Sequence, residues 1–180
     1  VLPFGYDFVD DDTDPEDPLV TGAGLHGTHV AGIVAAMTDN QVGIAGSGWN
    51  TKILPIRVPG SNGGNTFDVT QGILYAAGLP NSSQRVPLQP ARIINLSLGG
   101  TSNSSVQHDA IRRARQAGAV IVVSAGNEAQ AGNPISYPAA HEEVIAVGAV
   151  GPSGNRAPYS QFQPYVDIAA PGGDQSSRRE

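Results

Sequence analysis

An imidazole, a carboxamide and a few glycine-bearing segments are the groups in this chain best suited to chemistry. His26 stands in His26-Gly27-Thr28-His29-Val30-Ala31-Gly32, followed by Ile33, Val34 and Met37. The recurrence of Val30, Ile33, Val34 and Met37 predicts a helix over 26–37 with His26 in its first turn. That end of a helix is positive, so it disfavours an imidazolium. A general base placed there needs a carboxylate to hold its tautomer and stabilise its charged form. Taken alone, His26 is more simply a satisfied core histidine, and His29 keeps that reading. The His-x-x-His pair lacks the glutamate and third ligand of a zinc-peptidase helix.

Two further segments end apolar runs in turn residues. Asn95-Leu96-Ser97-Leu98-Gly99-Gly100 closes one run, and Ser124-Ala125-Gly126-Asn127-Glu128 closes another. If the runs are parallel strands, both segments fall in the crevice beyond the C-terminal strand ends, where open α/β sheets bind ligands. The Asn127 side-chain NH₂ could then donate to a developing oxyanion. Singly, each segment is also ordinary turn chemistry.

The elements that must position these groups alternate. Apolar runs rich in Ile and Val at 53–58, 92–98, 119–125 and 144–150, bounded by Gly or Pro, read as buried strands. Helical spacing recurs over 67–79 and over 105–117, the latter with Ser104 as N-cap and Gly118 as stop. The pattern predicts one three-layer α/β domain, a mostly parallel sheet with helices on both faces. Composition narrows the function. The net charge of −6 includes eight acids and no Lys or Arg in the first 50 residues, which suits no nucleic-acid backbone. No apolar run approaches the roughly 18 residues of a membrane span. The absence of cysteine removes disulfides, thiolate catalysis and Cys-ligated metals.

In this order, HGTHVAG, NLSLGG and SAGNE resemble the subtilisin-like serine proteases, the subtilases. Tyr137-Pro138-Ala139 and VDIAAPG at 166–172 extend the likeness over about residues 5–174. The resemblance implies that His26 is the general base and Asn127 the oxyanion donor. Ser97, Leu98 and Gly99 would pair with an extended peptide, Ser124, Ala125 and Gly126 would wall the pocket for the side chain before the scissile bond, and Gly63 and Gly64 would line the substrate's other side. It also implies a secreted endopeptidase acting on peptides or proteins, with no cofactor needed for the chemistry.

The family's catalytic order is Asp, His, Ser. Its aspartate lies in Asp-Ser/Thr-Gly and its serine in Gly-Thr-Ser-x-Ala, and neither motif occurs in these 180 residues. The acids Asp7, Asp10, Asp11, Asp12, Asp14, Glu16 and Asp17 are read as a loop without that setting. Ser176 and Ser177 lack the pattern that activates a serine. The chain is therefore expected to be the central portion of such a domain, incomplete at both ends and inactive alone, its remaining parts acting as partners. The alternative is a non-catalytic peptide-binding fragment or pseudoenzyme with the same groove. Structural calcium is expected at 37–44, where the resemblance implies the Asn40 side-chain oxygen and the carbonyls of Met37, Val42 and Ile44 as ligands. The acidic loop is read as solvated. Gly22-Ala23-Gly24-Leu25-His26-Gly27 matches a dinucleotide fingerprint only in form, because no strand precedes it.

Overall fold

The computed structural model describes residues 5–17, 25–60 and 63–174. The chain divides into two compact units, Val1–Ala91 and Arg92–Glu180. Ser176, Ser177 and residues 22–24 of the glycine motif lie outside the described residues.

In Val1–Ala91, strand β1 (Tyr6–Asp7) pairs in parallel with β2 (Ile56–Arg57), and β3 (Pro59–Gly60) pairs antiparallel with β4 (Gly63–Gly64). Helices α1 (His26–Ala35) and α2 (Thr66–Ala76) complete the unit. The expected strand 53–58 is thus two residues of ladder. Pro55 has no N–H to give a neighbour and serves only as the acceptor for Tyr6 N at 3.2 Å. Helix α2 starts where Asn65 Oδ1 accepts from Asp68 N at 2.8 Å and stops before Gly78, whose φ is +71°. Gly72 lets α2 lie on β2, since a Cβ there would stand 2.6 Å from Val58 Cγ1. Tyr6, Phe8 and Tyr75 close this core with ring centroids 4.7–5.9 Å apart.

The acidic segment is not wholly a solvated loop. Asp7 belongs to β1 and is 1% exposed. It accepts the amides of Val9 at 2.7 Å and Asp10 at 3.1 Å and pairs with the Arg57 guanidinium, which also pairs with Asp10. A buried carboxylate needs such partners, and only the β1–β2 pairing brings Arg57 to it.

In Arg92–Glu180 a four-stranded parallel sheet runs in the order β5 (Ile93–Leu96), β6 (Val120–Ser124), β7 (Ile145–Val150), β8 (Ile168–Pro171). The expected strands over 92–98, 119–125 and 144–150 form, the first two trimmed at both ends and the third only at its start. Strand β8 was not anticipated, because Ala-Ala-Pro carries little strand signal and proline is tolerated only at such an edge. Helix α3 (Ser105–Gln116) is capped by Ser104 Oγ, which accepts from Gln107 N at 3.3 Å. Its stripe Gln107, Ala110, Ile111, Ala114 is buried, and the helix packs against β6, where Ile121 and Val123 have no exposed surface. On the other face Ile93 is 67% and Ile168 56% exposed, while Val122, Ile145 and Val147 are half-buried.

Candidate active site

The C-terminal ends of β5 to β8 surround a cavity of about 330 Å³. Five of the expected site residues line it: Ser97 beyond β5, then Ser124, Ala125, Gly126 and Asn127 where β6 runs out. The sheet alone explains this convergence. Register pairs Leu96 with Val123 and Ser124 with Val147, so the loops after neighbouring strands leave at one level. Leu98 and Gly99 follow Ser97 outside the ladder. Gly100 makes the next fixed contact, exchanging main-chain bonds with Tyr137 at 2.7 and 2.9 Å.

Asn127 is exposed, and its main-chain N–H donates to Glu128 Oε2 at 2.9 Å. Its carboxamide has no hydrogen-bond partner among the described residues and is free to donate to a ligand. Gly126 has φ +110°, a conformation that favours glycine. A Cβ there would stand 1.5 Å from Gln161 Oε1. Gln161 is 1% exposed, and its amide N–H donates to Gly126 O at 3.1 Å. Its side-chain nitrogen donates to Pro134 O, while Oε1 is buried without a partner. Tyr165 also reaches this wall, donating from its hydroxyl to Ala125 O at 3.0 Å and accepting from Ser136 N at 3.2 Å. Burial pushes the Tyr165 phenol up, which keeps the proton that Ala125 O receives. Neither Gln161 nor Tyr165 was anticipated. They lie some 35–40 positions from the residues they hold, and no local pattern marks them.

A titratable cluster lies behind Tyr137. His108 and His141 stack with ring centroids 4.1 Å apart and planes within 6°. His108 Nε2 is 2.9 Å from Glu143 Oε2, and the Tyr137 ring is 5.2 Å from that of His141. His141 is 7% exposed with Nε2 unpartnered. Burial and the neighbouring His108 hold it below the ordinary imidazole range, Glu143 opposing them. Burial pushes Glu143 up, but the hydrogen bond from His108, a backbone bond and both imidazoles outweigh it and leave it lowered.

In Val1–Ala91, His26 is the first residue of α1 and is exposed, not a core histidine. Leu25 provides no side-chain cap. The carboxylate at this helix start comes instead from Asp17, whose Oδ2 accepts Thr28 N at 2.8 Å and Thr28 Oγ1 at 3.0 Å. That places negative charge on the positive helix end, at the turn that His26 begins. Gly63 and Gly64 form β4, paired with β3.

The loop 37–44 exposes Met37, Val42 and Ile44, and Asn40 Oδ1 accepts Val42 N at 3.1 Å. One side-chain oxygen and three carbonyls fall short of the roughly six to eight oxygens that calcium takes. Among the described residues, no group of three His, Asp or Glu is placed to hold a metal.

The model of the subtilase family matches residues 3–179. Thermitase of Thermoactinomyces vulgaris is 42% identical over 170 residues, covering 93% of this chain and 54% of that protein. A thermophilic serine proteinase of a Bacillus strain is 42% identical over 172 residues, 94% of this chain and 38% of its own length. An extracellular protease of Xanthomonas campestris is 38% identical, with 93% and 33% covered. A solved protease of Pseudoalteromonas arctica superposes with a TM-score of 0.84 at 40% identity, over 96% of this chain and 57% of that one. The chain thus spans about half or less of the curated relatives it matches, and it belongs to the subtilase family of serine proteases.

Proposed function

We propose that this chain carries the general base, the oxyanion donor and the peptide-gripping backbone of a secreted subtilisin-like serine endopeptidase. The observation that carries this reading is the meeting of Ser97, Ser124, Ala125, Gly126 and Asn127 at one strand-end cavity. An extended peptide or protein substrate would add to the backbone of Ser97, Leu98 and Gly99, and Gly63 and Gly64 offer a second stretch of the same kind. Asn127 would donate to the carbonyl oxygen as it gains charge. His26 would take the proton of an attacking hydroxyl and return it to the leaving amine. The hydroxyl itself, and the aspartate that orients the base, belong to motifs that these 180 residues do not contain. Secretion is supported by the relatives named as extracellular proteases. Calcium at 37–44 would need further oxygens, and its test is a calcium-dependent rise in melting temperature.

For the 180 residues alone, the absence of both motifs favours binding without hydrolysis. The experiment mixes the chain with a fluorogenic peptide and with a fluorophosphonate that labels active serines. Saturable peptide binding with neither turnover nor label is expected. Turnover with covalent labelling overturns the inactive reading, and absence of binding overturns the groove. In a protein joining these residues to both motifs, Asn127→Ala should lower kcat by roughly 10²–10³. That is the loss for such a donor in subtilisin, itself a member of this family.

A further inference from the structure

The walls of the strand-end cavity are main chain, and main chain is only as well placed as the groups that hold it. The Ala125 amide is fixed by Val147 O at 2.9 Å, a strand-like bond. Its carbonyl is not taken by another strand but by a side chain, the Tyr165 hydroxyl at 3.0 Å. The Tyr165 hydroxyl oxygen in turn accepts the Ser136 amide at 3.2 Å. Ser136 is buried, and its Oγ stands 2.8 Å from where a Cβ on Gly99 would be. Tyr137 exchanges both main-chain bonds with Gly100. A path therefore runs from Ala125 through the Tyr165 hydroxyl and Ser136 to Gly99 and Gly100. On this path the side-chain hydrogen-bonding atom is the phenol oxygen, carried on a rigid ring with two rotatable bonds, and Gln161, bonded to Gly126 O and Pro134 O, runs beside it.

We propose that Tyr165 is a positioning residue that sets the width between segments 97–99 and 124–126, and so selects the substrate side chain just before the scissile bond. The proposal rests on the reading of those two segments as peptide-binding backbone. Without the hydroxyl, the Ala125 carbonyl and the Ser136 amide lose a shared partner, which leaves the link through Gln161 from Gly126 to Pro134 to hold the wall. The walls then relax, and a bulky apolar side chain no longer fills the gap better than a hydrogen atom does. Tyr165→Phe removes one oxygen and keeps the ring.

The experiment titrates two tetrapeptides with free C-terminal carboxylates, differing only in a last residue of Phe or Gly, against the chain and against Tyr165→Phe by calorimetry. The unaltered chain should bind the Phe peptide more tightly. In Tyr165→Phe that preference should shrink about three- to tenfold, the scale of one or two hydrogen bonds, with Gly-peptide affinity held within about twofold. A merely structural role would weaken both peptides alike, and an unchanged preference overturns the proposal while the groove stands. Failure of the unaltered chain to bind either peptide overturns both. Should Tyr165→Phe not fold, exchange of the Ser136 amide in the unaltered chain decides the matter. It should slow with the Phe peptide and not with the Gly peptide, and equal exchange overturns the proposal.

Discussion

The helix that begins at His26 buries none of its ten residues. The strand that ends three residues before Asn127 has Ile121 and Val123 with no exposed surface. The two proposed catalytic groups are thus carried by elements held in different ways. Around α1 the fixing is by hydrogen bonds at the ends: Asp17 at the front, and the amides of Gly46, Ser47 and Gly48 on Ala36, Ile33 and Val34 carbonyls at 2.9–3.1 Å behind. Around β6 it is by packing, with α3 beneath the sheet and Gln161 and Tyr165 fastened to the strand's end. Hydrogen bonds at a helix end contribute about 1 kcal/mol each, whereas close packing punishes every misplaced atom. The strand end that leads to Asn127 is therefore held by packing within its own unit, whereas the helix that carries His26 is held at its ends by hydrogen bonds.

The sharpest way to break this comparison is one substitution made in both regions. Gly126→Ala forces a Cβ onto Gln161 Oε1 in a left-handed conformation, and should cost about 3 kcal/mol in a urea melt. A loss below about 1 kcal/mol would mean that the 159–165 loop yields freely and that the wall is not preorganised.

Acid should act next, on Arg92–Glu180. His141 is held below its ordinary value of 6.5 in the folded chain, so the unfolded chain binds its proton first as pH falls. Stability is then full above about 6.5 and declines as pH drops towards the lowered folded value. Glu143, also lowered, adds a second loss only below its ordinary 4.5. Melting temperature followed from pH 8 downwards should show the upper step, and His141→Phe, which keeps the ring stack and removes an unpartnered nitrogen, should abolish it. A step that persists in the variant assigns the proton elsewhere.

Asp17→Ala should cost about 1 kcal/mol through loss of two hydrogen bonds and a favourable charge at the helix start. Faster exchange of the Thr28 amide is the readout, with the amides of β6 unchanged. The smallest effect belongs to Gly32→Ala, where a Cβ meets nothing within 4 Å. It should stabilise α1 by up to about 1 kcal/mol by helix propensity alone. Destabilisation there would place α1 under packing constraints like those of β6.

Much of the unit from Arg92 onwards was legible because its signals are local. Ile-Val runs give β5, β6 and β7, while Ser104 and Gly118 bracket α3. Of the candidate site, the motifs made legible five residues that line one strand-end cavity, with Ser124 closing β6 and Asn127 three residues beyond it. Strand β8 was missed because Ile168-Ala169-Ala170-Pro171 gains its conformation from pairing with β7. The acidic run misled for a related reason: Asp7 carries the charge pattern of a solvated loop, and only its pairing with Arg57 allows burial.

The sequence by itself determined the family and the three helices with β5, β6 and β7, and it singled out His26 and Asn127 as candidates for proton transfer and oxyanion binding. These depend on neighbours within a few positions, where periodicity, capping and motif spacing operate. Tertiary structure alone decided that Gln161 fills the space behind Gly126, that Tyr165 bridges Ala125 and Ser136, and that α1 buries nothing while β6 buries its core. Those outcomes depend on which distant surfaces meet, and the free energy of a contact is not a property of either partner's sequence alone.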